Sequence, residues 1–171
     1  MRFTYCPDCG QKLILKDIGD EGATPYCTAC KKAWFDVFST CVIILVANPK
    51  NEVLLLNQEY ISTQYRNLVS GYMKPCESAE RAAQREVLEE VGVTLDTIEL
   101  VGTYWFAKKG LLMIGFIGKA ANTELALSKE VDAAEWVSAQ NALSLVHPKG
   151  SGSVSRILVE EYINRLKKQD F

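Results

Sequence analysis

A mixed β-sheet with helices packed on it, preceded by a small cysteine-held module, is the α/β architecture that this sequence predicts. Three observations lead there. Two Cys-x-x-Cys pairs stand within the first thirty positions. Apolar runs and helical segments then follow in the order β, β, α, β, β, β, α, α, which suits a mixed sheet covered by helices. The length, 171 residues, accommodates one mid-sized domain carrying a small accessory module.

Composition narrows the function classes. Hydrophobic residues make up 48% and charged residues 23%, ordinary for a soluble globular protein and wrong for collagen-like, coiled-coil or disordered chains. Lys and Arg total 19 against 21 Asp and Glu, a formal net charge of -2. That balance provides no broad basic surface, so sequence-independent gripping of nucleic acid is not the expected main task. The longest apolar run, residues 41–47, is far short of the roughly 20 residues that cross a bilayer. The first ten residues carry Pro7 and Asp8 where a signal peptide would place its apolar stretch. A cytoplasmic protein without a membrane partner is expected.

The first module, residues 1–35, is defined by Cys6, Cys9, Cys27 and Cys30. Cytosolic thiols are kept reduced, so disulfides are not the first reading. The 17 residues between the pairs fall in the C-x2-C-x15–20-C-x2-C window of a structural zinc site. Each two-residue spacer turns both thiolates toward one ion, and two such turns complete a tetrahedron with no position left for catalysis. Gly10, just after the first pair, suits a tight turn with positive φ. The segment has too few apolar side chains for a core, and zinc binding can contribute about 10–16 kcal/mol to a module of this kind. Residues 13–15 and Tyr26 are its strand candidates. Trp34, Phe35 and Phe38 are expected to pack the joint to the second domain, residues 36–171.

That domain begins with two apolar runs, residues 41–47 and 53–56. Asn48-Pro49-Lys50-Asn51 between them is turn chemistry, which predicts a β-hairpin. Cys41 lies inside the first run and reads as buried packing. Residues 97–106 and 111–119 predict two strands around Lys108-Lys109-Gly110. Residues 134–137 predict a short strand, residues 139–145 a short helix and residues 150–155 a flexible loop. A C-terminal helix carries Ile157, Leu158, Glu161, Ile163 and Leu166 at rough helical spacing. His147, the single histidine, stands in a Val-His-Pro-Lys-Gly stretch and reads as a surface loop residue.

Residues 71–93, GYMKPCESAERAAQREVLEEVGV, carry the chemistry. Ser78 suits an N-cap, Glu80 the first turn and Gly92 the C′ stop of a helix. At about 100° per residue, Ala83, Val87 and Val91 share one face, with Leu88 at its margin. Glu86, Glu89 and Glu90 cluster on another arc. Carboxylates so close repel one another, which favours a cation, and oxygen-only ligands suit magnesium or manganese. Arg85 and Arg81 are placed to hold the carboxylates or to meet a phosphate. An isolated Glu-Glu pair on a helix is usually a solvated face. Here it belongs to a longer pattern, G-x5-E-x7-R-E-U-x-E-E-x-G-U with U aliphatic, met at Gly71, Glu77, Arg85, Glu86, Val87, Glu89, Glu90, Gly92 and Val93. A chance match in a chain of this length is on the order of 10⁻⁷ from residue frequencies.

This pattern resembles the Nudix box, with no departure at its fixed positions. The resemblance implies a Nudix α/β/α sandwich with a mixed sheet, preceded here by the zinc ribbon. It also implies a metal-dependent pyrophosphohydrolase that cleaves a nucleoside diphosphate linked to another moiety, by water attack at phosphorus. Glu86, Glu89 and Glu90 would then be ligands for Mg²⁺ or Mn²⁺, with the Gly71 carbonyl as a further ligand. Arg85 would orient the carboxylates, and Glu77 would support the loop or a second metal. Some family members take the general base from the box and others from a later loop; the stretch EVDAAEWV makes Glu130 the candidate here, ahead of Glu135.

A zinc ribbon before such a domain is similar to the NADH pyrophosphatase and FAD pyrophosphatase types. The NADH branch carries S-Q-P-W-P-F-P-x-S followed by L-M. This chain reads GTYWFAKKGLLMIGF there, keeping Leu112-Met113 and Gly115-Phe116 without the proline-rich element. One of Trp105 and Phe106 is expected to contact a base and the other to pack. Lys74 and Cys76 stand where many relatives carry Glu and Gly, and Lys74 could meet a substrate phosphate. ADP-ribose, NAD(H), FAD and other dinucleotides all stay open as the small-molecule nucleotide substrate. Two other classes compete: a nucleic-acid or protein-binding module whose Nudix domain is inactive, and a hydrolase of 5′-capped RNA. Salt-dependent RNA or DNA affinity without diphosphate hydrolysis would mark the first. The ribbon could equally cover the site or form a homodimer interface.

Overall fold

The computed structural model describes residues 3–148, 150 and 153–169. It divides into two compact units, one ending at Phe38 and the other beginning at Ser39. In the first, β1 (Ile14–Asp17), β2 (Ala23–Cys27) and β3 (Lys32–Ala33) form a three-stranded antiparallel sheet in sequence order. The first strand starts at Ile14 and runs two residues beyond the expected 13–15. Trp34, expected at the joint, is used inside this unit: it meets Phe3 edge-on at 5.4 Å, and the Lys32 ammonium lies 4.1 Å over its ring.

The second unit is built on a seven-stranded mixed sheet. Its strands are β4 (Ser39–Ala47), β5 (Glu52–Gln58), β6 (Ser62–Asn67), β7 (Val69–Tyr72), β8 (Leu95–Phe106), β9 (Leu111–Ala120) and β10 (Ala133–Ser138). The order is β10-β5-β4-β9-β8, with β6 added on β5 and β7 on β4. Among the described strands, β4 and β9 pair in parallel and the other pairs are antiparallel. The expected hairpin is present: Asn48 Oδ1 accepts from the Lys50 and Glu52 amides, and Asn51 takes the left-handed conformation at φ 61°.

The continuous apolar runs of β4 and β5 follow from burial on both faces. Ile43, Leu45, Ala47, Val53 and Leu55 face the layer of α2 (Ala139–Leu145) and α3 (Val154–Gln169). Val42, Ile44, Val46, Leu54 and Leu56 alternate to the opposite face, where Ala83, Val87 and Val91 of α1 (Ala79–Val91) cover them. This is the expected α/β/α sandwich. Burying each such valine or leucine contributes roughly 1.5–3 kcal/mol. Leu88, placed at the margin of the apolar face, is exposed.

Three strands, the two-residue β3 and, in the second unit, β6 and β7, were not expected from the sequence. The loop expected over residues 150–155 is shorter, because α3 begins at Val154; Ser151 and Gly152 lie outside the described residues, as does Lys149 beside His147. Among the described residues, no helix is long and apolar enough to cross a membrane.

Candidate functional site

The four N-terminal thiols converge. Cys6 Sγ lies 3.9 Å from Cys30 Sγ, and Cys9 Sγ lies 3.6 Å from Cys27 Sγ. These separations exceed a disulfide bond and match the spacing of about 3.8 Å that a tetrahedron with 2.3 Å Zn–S bonds requires. Among the described residues, these four form the group whose ligand atoms all lie within 4.8 Å of one another. Each pair is followed by a residue at positive φ, Gly10 at 75° and Lys31 at 55°, which turns the chain back under its thiols. Burial pushes Cys6 up, but the Cys9 and Asp8 backbone amides and the neighbouring thiols outweigh it and bring the thiol down to about 7. Cys30, crowded by Cys9 and then Cys27, is pushed up to about 12. Four sulfurs that cannot all ionise together without a cation are the donor set of a thiophilic metal.

In the second unit the strand–loop–helix of residues 69–92 sets the other site. Ser78 caps α1 by accepting from the Arg81 amide, and Gly92 ends it at φ 70°. Gly92 is needed twice over, since a Cβ there would also stand 2.7 Å from Ala126 Cβ. Between these caps, Arg85 uses all five of its N–H donors. Nε and Nη2 form a fork on Glu77 at 3.0 and 2.7 Å, and Nη2 also reaches the Tyr72 carbonyl at 3.1 Å. Nη1 bridges Glu86 at 2.6 Å and Glu89 at 3.0 Å. Both roles were open to Arg85 in the sequence; with no donor left over, it holds carboxylates. The Arg85 fork, joined by the Lys74 amide, draws Glu77 down to about 2. Arg85 likewise lowers Glu89, with Lys74 assisting.

Gly71 lies against this group. A Cβ built on it would fall 2.1 Å from Glu86 Cδ, so only glycine lets the β7 backbone and that carboxylate approach. Glu90 is different in kind, being almost fully buried. Burial, and then the charges of Glu86 and Glu130, push it up to about 8. Its side-chain partner is Gln58 at the end of β5, whose Nε2 stands 3.5 Å from Glu90 Oε2. A buried carboxyl among other carboxylates, beside a glycine that lets one of them approach the backbone, is chemistry suited to a hard divalent cation. Glu86 and Glu89 are turned to Arg85 and Glu90 to Gln58, so the three are not gathered as tightly as the thiols.

Glu130 is exposed in the loop before β10 and acts electrostatically on both Glu90 and Tyr60. That loop is tied to the end of β5: Asp132 Oδ2 accepts from the Glu59 amide at 2.8 Å, and the Asp132 amide donates to the Asn57 carbonyl at 3.0 Å. Glu135 pairs with Arg66 at 3.7 Å. The sequence reading missed Gln58, Tyr60 and Asp132. No pattern marks them, since NQEY reads as turn-like polarity.

The remaining residues divide simply. Lys74 Nζ lies 3.4 Å from Glu89 and is well exposed. Cys76 is exposed at φ 67°, the conformation that explains a preference for glycine at that position. Trp105 is exposed and Phe106 half-buried. Cys41 is buried and its thiol is pushed up to about 11 by that burial. His147 packs against Tyr65 with ring centroids 4.7 Å apart and the rings tilted by 50°.

The NUDIX domain model matches residues 38–157. Two proteins named NAD-capped RNA hydrolase NudC, from Pseudomonas entomophila and Pseudomonas putida, are 31% and 32% identical over 162 residues. The match covers 94% of this chain and 56% of each relative, so the chain spans little more than half the length of these curated relatives. Among solved structures, a NUDIX hydrolase from Nitrosomonas europaea superposes with a TM-score of 0.73 at 19% identity, covering 97% of this chain and 93% of that one. The NUDIX domain of Shewanella oneidensis NrtR, complexed with ADP ribose, gives 0.62 at 17% identity over 82% of this chain and 94% of that one. At these identities the structural likeness concerns the fold.

Proposed function

The chain belongs to the Nudix family, and from that premise we propose that it is a metal-dependent pyrophosphohydrolase of nucleoside diphosphates linked to another moiety. The observation that carries this reading is the assembled box: one guanidinium holding Glu77, Glu86 and Glu89, with Glu90 nearby and Gly71 letting the Glu86 carboxylate approach the backbone. A binding module with an inactive domain would not need those carboxylates kept and oriented.

In this reading Glu86, Glu89, Glu90 and the Gly71 carbonyl hold Mg²⁺ or Mn²⁺. Such a cation neutralises the diphosphate and lowers the pKa of water. Arg85 fixes Glu86 and Glu89, and Glu77 in turn fixes Arg85. Glu130 takes the proton of the attacking water as its oxygen bonds to phosphorus. The bond from that phosphorus to the bridging oxygen breaks, and two monophosphates leave. The four thiols hold a structural zinc, in a reducing cytoplasmic compartment.

The relatives' name concerns NAD-capped RNA, and a NAD cap contains the same diphosphate as free NAD(H). Dinucleotide and capped-RNA substrates therefore share the scissile chemistry, and both belong in one test. NADH, ADP-ribose, FAD and NAD-capped RNA are incubated with Mg²⁺ or Mn²⁺ and scored for released monophosphate. Cleavage of at least one supports the proposal; a folded, metal-loaded protein that leaves all of them intact contradicts it.

Two variants probe individual roles. Glu130→Gln is expected to lower kcat by about 10²–10⁴-fold with Mn²⁺ affinity unchanged; wild-type turnover removes Glu130 from the mechanism. In Gly71→Ala the added methyl must displace the Glu86 carboxylate, the mobile end of a flexible side chain. A roughly 100-fold fall in kcat is expected, with stability changed by less than about 1 kcal/mol. Unchanged kcat would show that Glu86 can move without consequence.

A further inference from the structure

We infer that Gln58 is a positioning residue that orients Glu90, and through it the cation site, on the reading proposed above. The residue occupies a place where packing alone asks for a hydrocarbon. Leu54 and Leu56 precede it at alternate positions of β5 and both lie in the core under α1. Gln58 takes the next position and is 1% exposed. A register shift between Leu56 and Gln58 interrupts the pairing of β5 with β6, a distortion of the kind that re-aims a side chain beside a functional site.

The amide carried there is only partly satisfied. Nε2 stands 3.5 Å from Glu90 Oε2 and 3.4 Å from the Tyr60 hydroxyl, while Oε1 has no hydrogen-bond partner. The reverse amide orientation would set Oε1 against the carboxylate, so the donor side faces Glu90. A buried polar group with an unmatched carbonyl weakens a core. Its presence is accounted for by what the nitrogen does: it supplies the side-chain donor to the most buried carboxyl of the cluster. The same strand end carries the Asn57 and Glu59 backbone groups that clasp Asp132. Gln58 thus sits where the carboxylate helix and the Glu130 loop are held to one strand.

The test is Mn²⁺ binding to the full chain, followed by the paramagnetic resonance of the free ion. Wild type is compared with Gln58→Leu, Gln58→Met and Glu89→Gln, and the melting temperature of each apo protein is recorded. Loss of this outer hydrogen bond is expected to weaken Mn²⁺ about tenfold in both Gln58 variants. Their melting temperatures should stay close to that of wild type, because the unmatched Oε1 leaves the core while the buried Glu90 loses its side-chain donor. Wild-type affinity in either folded Gln58 variant overturns the inference while leaving the proposed function in place. A wild-type chain that binds no Mn²⁺, or binds it as well after Glu89→Gln, overturns the proposed function and this inference with it.

Discussion

Glu89→Gln is expected to reduce kcat by about 10³-fold or more, about 4 kcal/mol in barrier height, without loss of fold. The side chain is half exposed, and its partners Arg85 and Lys74 are held through charge-assisted bonds at 3.0 and 3.4 Å. Exposed pairs of this kind contribute at most about 1 kcal/mol to stability, so the melting temperature should barely move. The charge matters far more than the contact. Glutamine keeps the shape and one acceptor oxygen but removes one of three negative charges on the helical arc. It also offers Arg85 a neutral partner, which loosens the bridge that fixes Glu86. Single-turnover assays at saturating Mn²⁺ separate weakened ion binding from a slowed chemical step. Turnover within a factor of ten of wild type would mean that the helix arc is not the catalytic centre.

On the proposal that the four thiols hold zinc, its removal from the N-terminal unit is expected to have the other large effect. Its core is small: Cys6, Thr24 and Cys27 are among its few buried side chains, and two of these are thiols of the cluster. Three short strands and a few ring contacts cannot offset the conformational entropy of ordering such a segment. The about 10–16 kcal/mol of apparent binding energy that zinc supplies to modules of this kind would then be its folding energy. Treatment with a strong chelator, or Cys27→Ser, is expected to abolish hydrogen-exchange protection in β1 to β3. Protection in β4, β9 and α1 should persist, since those elements have two apolar layers of their own. A metal-free chain that retains protection in β1 and β2 would show that the thiol cluster is not what folds this unit.

The parts legible in the sequence are those where one physical signal dominates. Residues 41–47 could only be a strand buried on both faces, because no residue in that run is polar. The turn at Asn48 to Asn51 announced its hairpin, and the Ser78 and Gly92 caps fixed the ends of α1. The thiol spacing points to four side chains that the fold brings together, and the box spacing to carboxylates that it ties to Arg85 and Gln58. The strands that went unread lack such signals. In β6, Ser-Thr-Gln-Tyr-Arg-Asn is polar throughout, because one of its neighbours is β5 and much of the rest is solvent. In β7 the glycine that lets Glu86 approach is also the residue that hides the strand.

Roles that depend on distant neighbours were equally invisible. Gln58 gains meaning only because Glu90 lies across from it, 32 positions later in the chain. Asp132 gains its role from the Glu59 amide, which it meets through the pairing of β10 with β5. Arg85 had two chemically sound roles until its five donors were counted. Trp34, an aromatic near a boundary, packs with Phe3 and Lys32 of its own unit. In each case the residue type was informative and the partner was not.

The claim that these carboxylates form a diphosphate-cleaving centre is tested most directly by following phosphorus in ¹⁸O-labelled water. Full-length protein, Mn²⁺ and a dinucleotide diphosphate are monitored by ³¹P resonance, with Glu89→Gln run in parallel. The account predicts two monophosphate products, with solvent oxygen on the attacked phosphorus, and neither product from the variant. An intact diphosphate after Mn²⁺ is bound, or equal cleavage by Glu89→Gln, would contradict it.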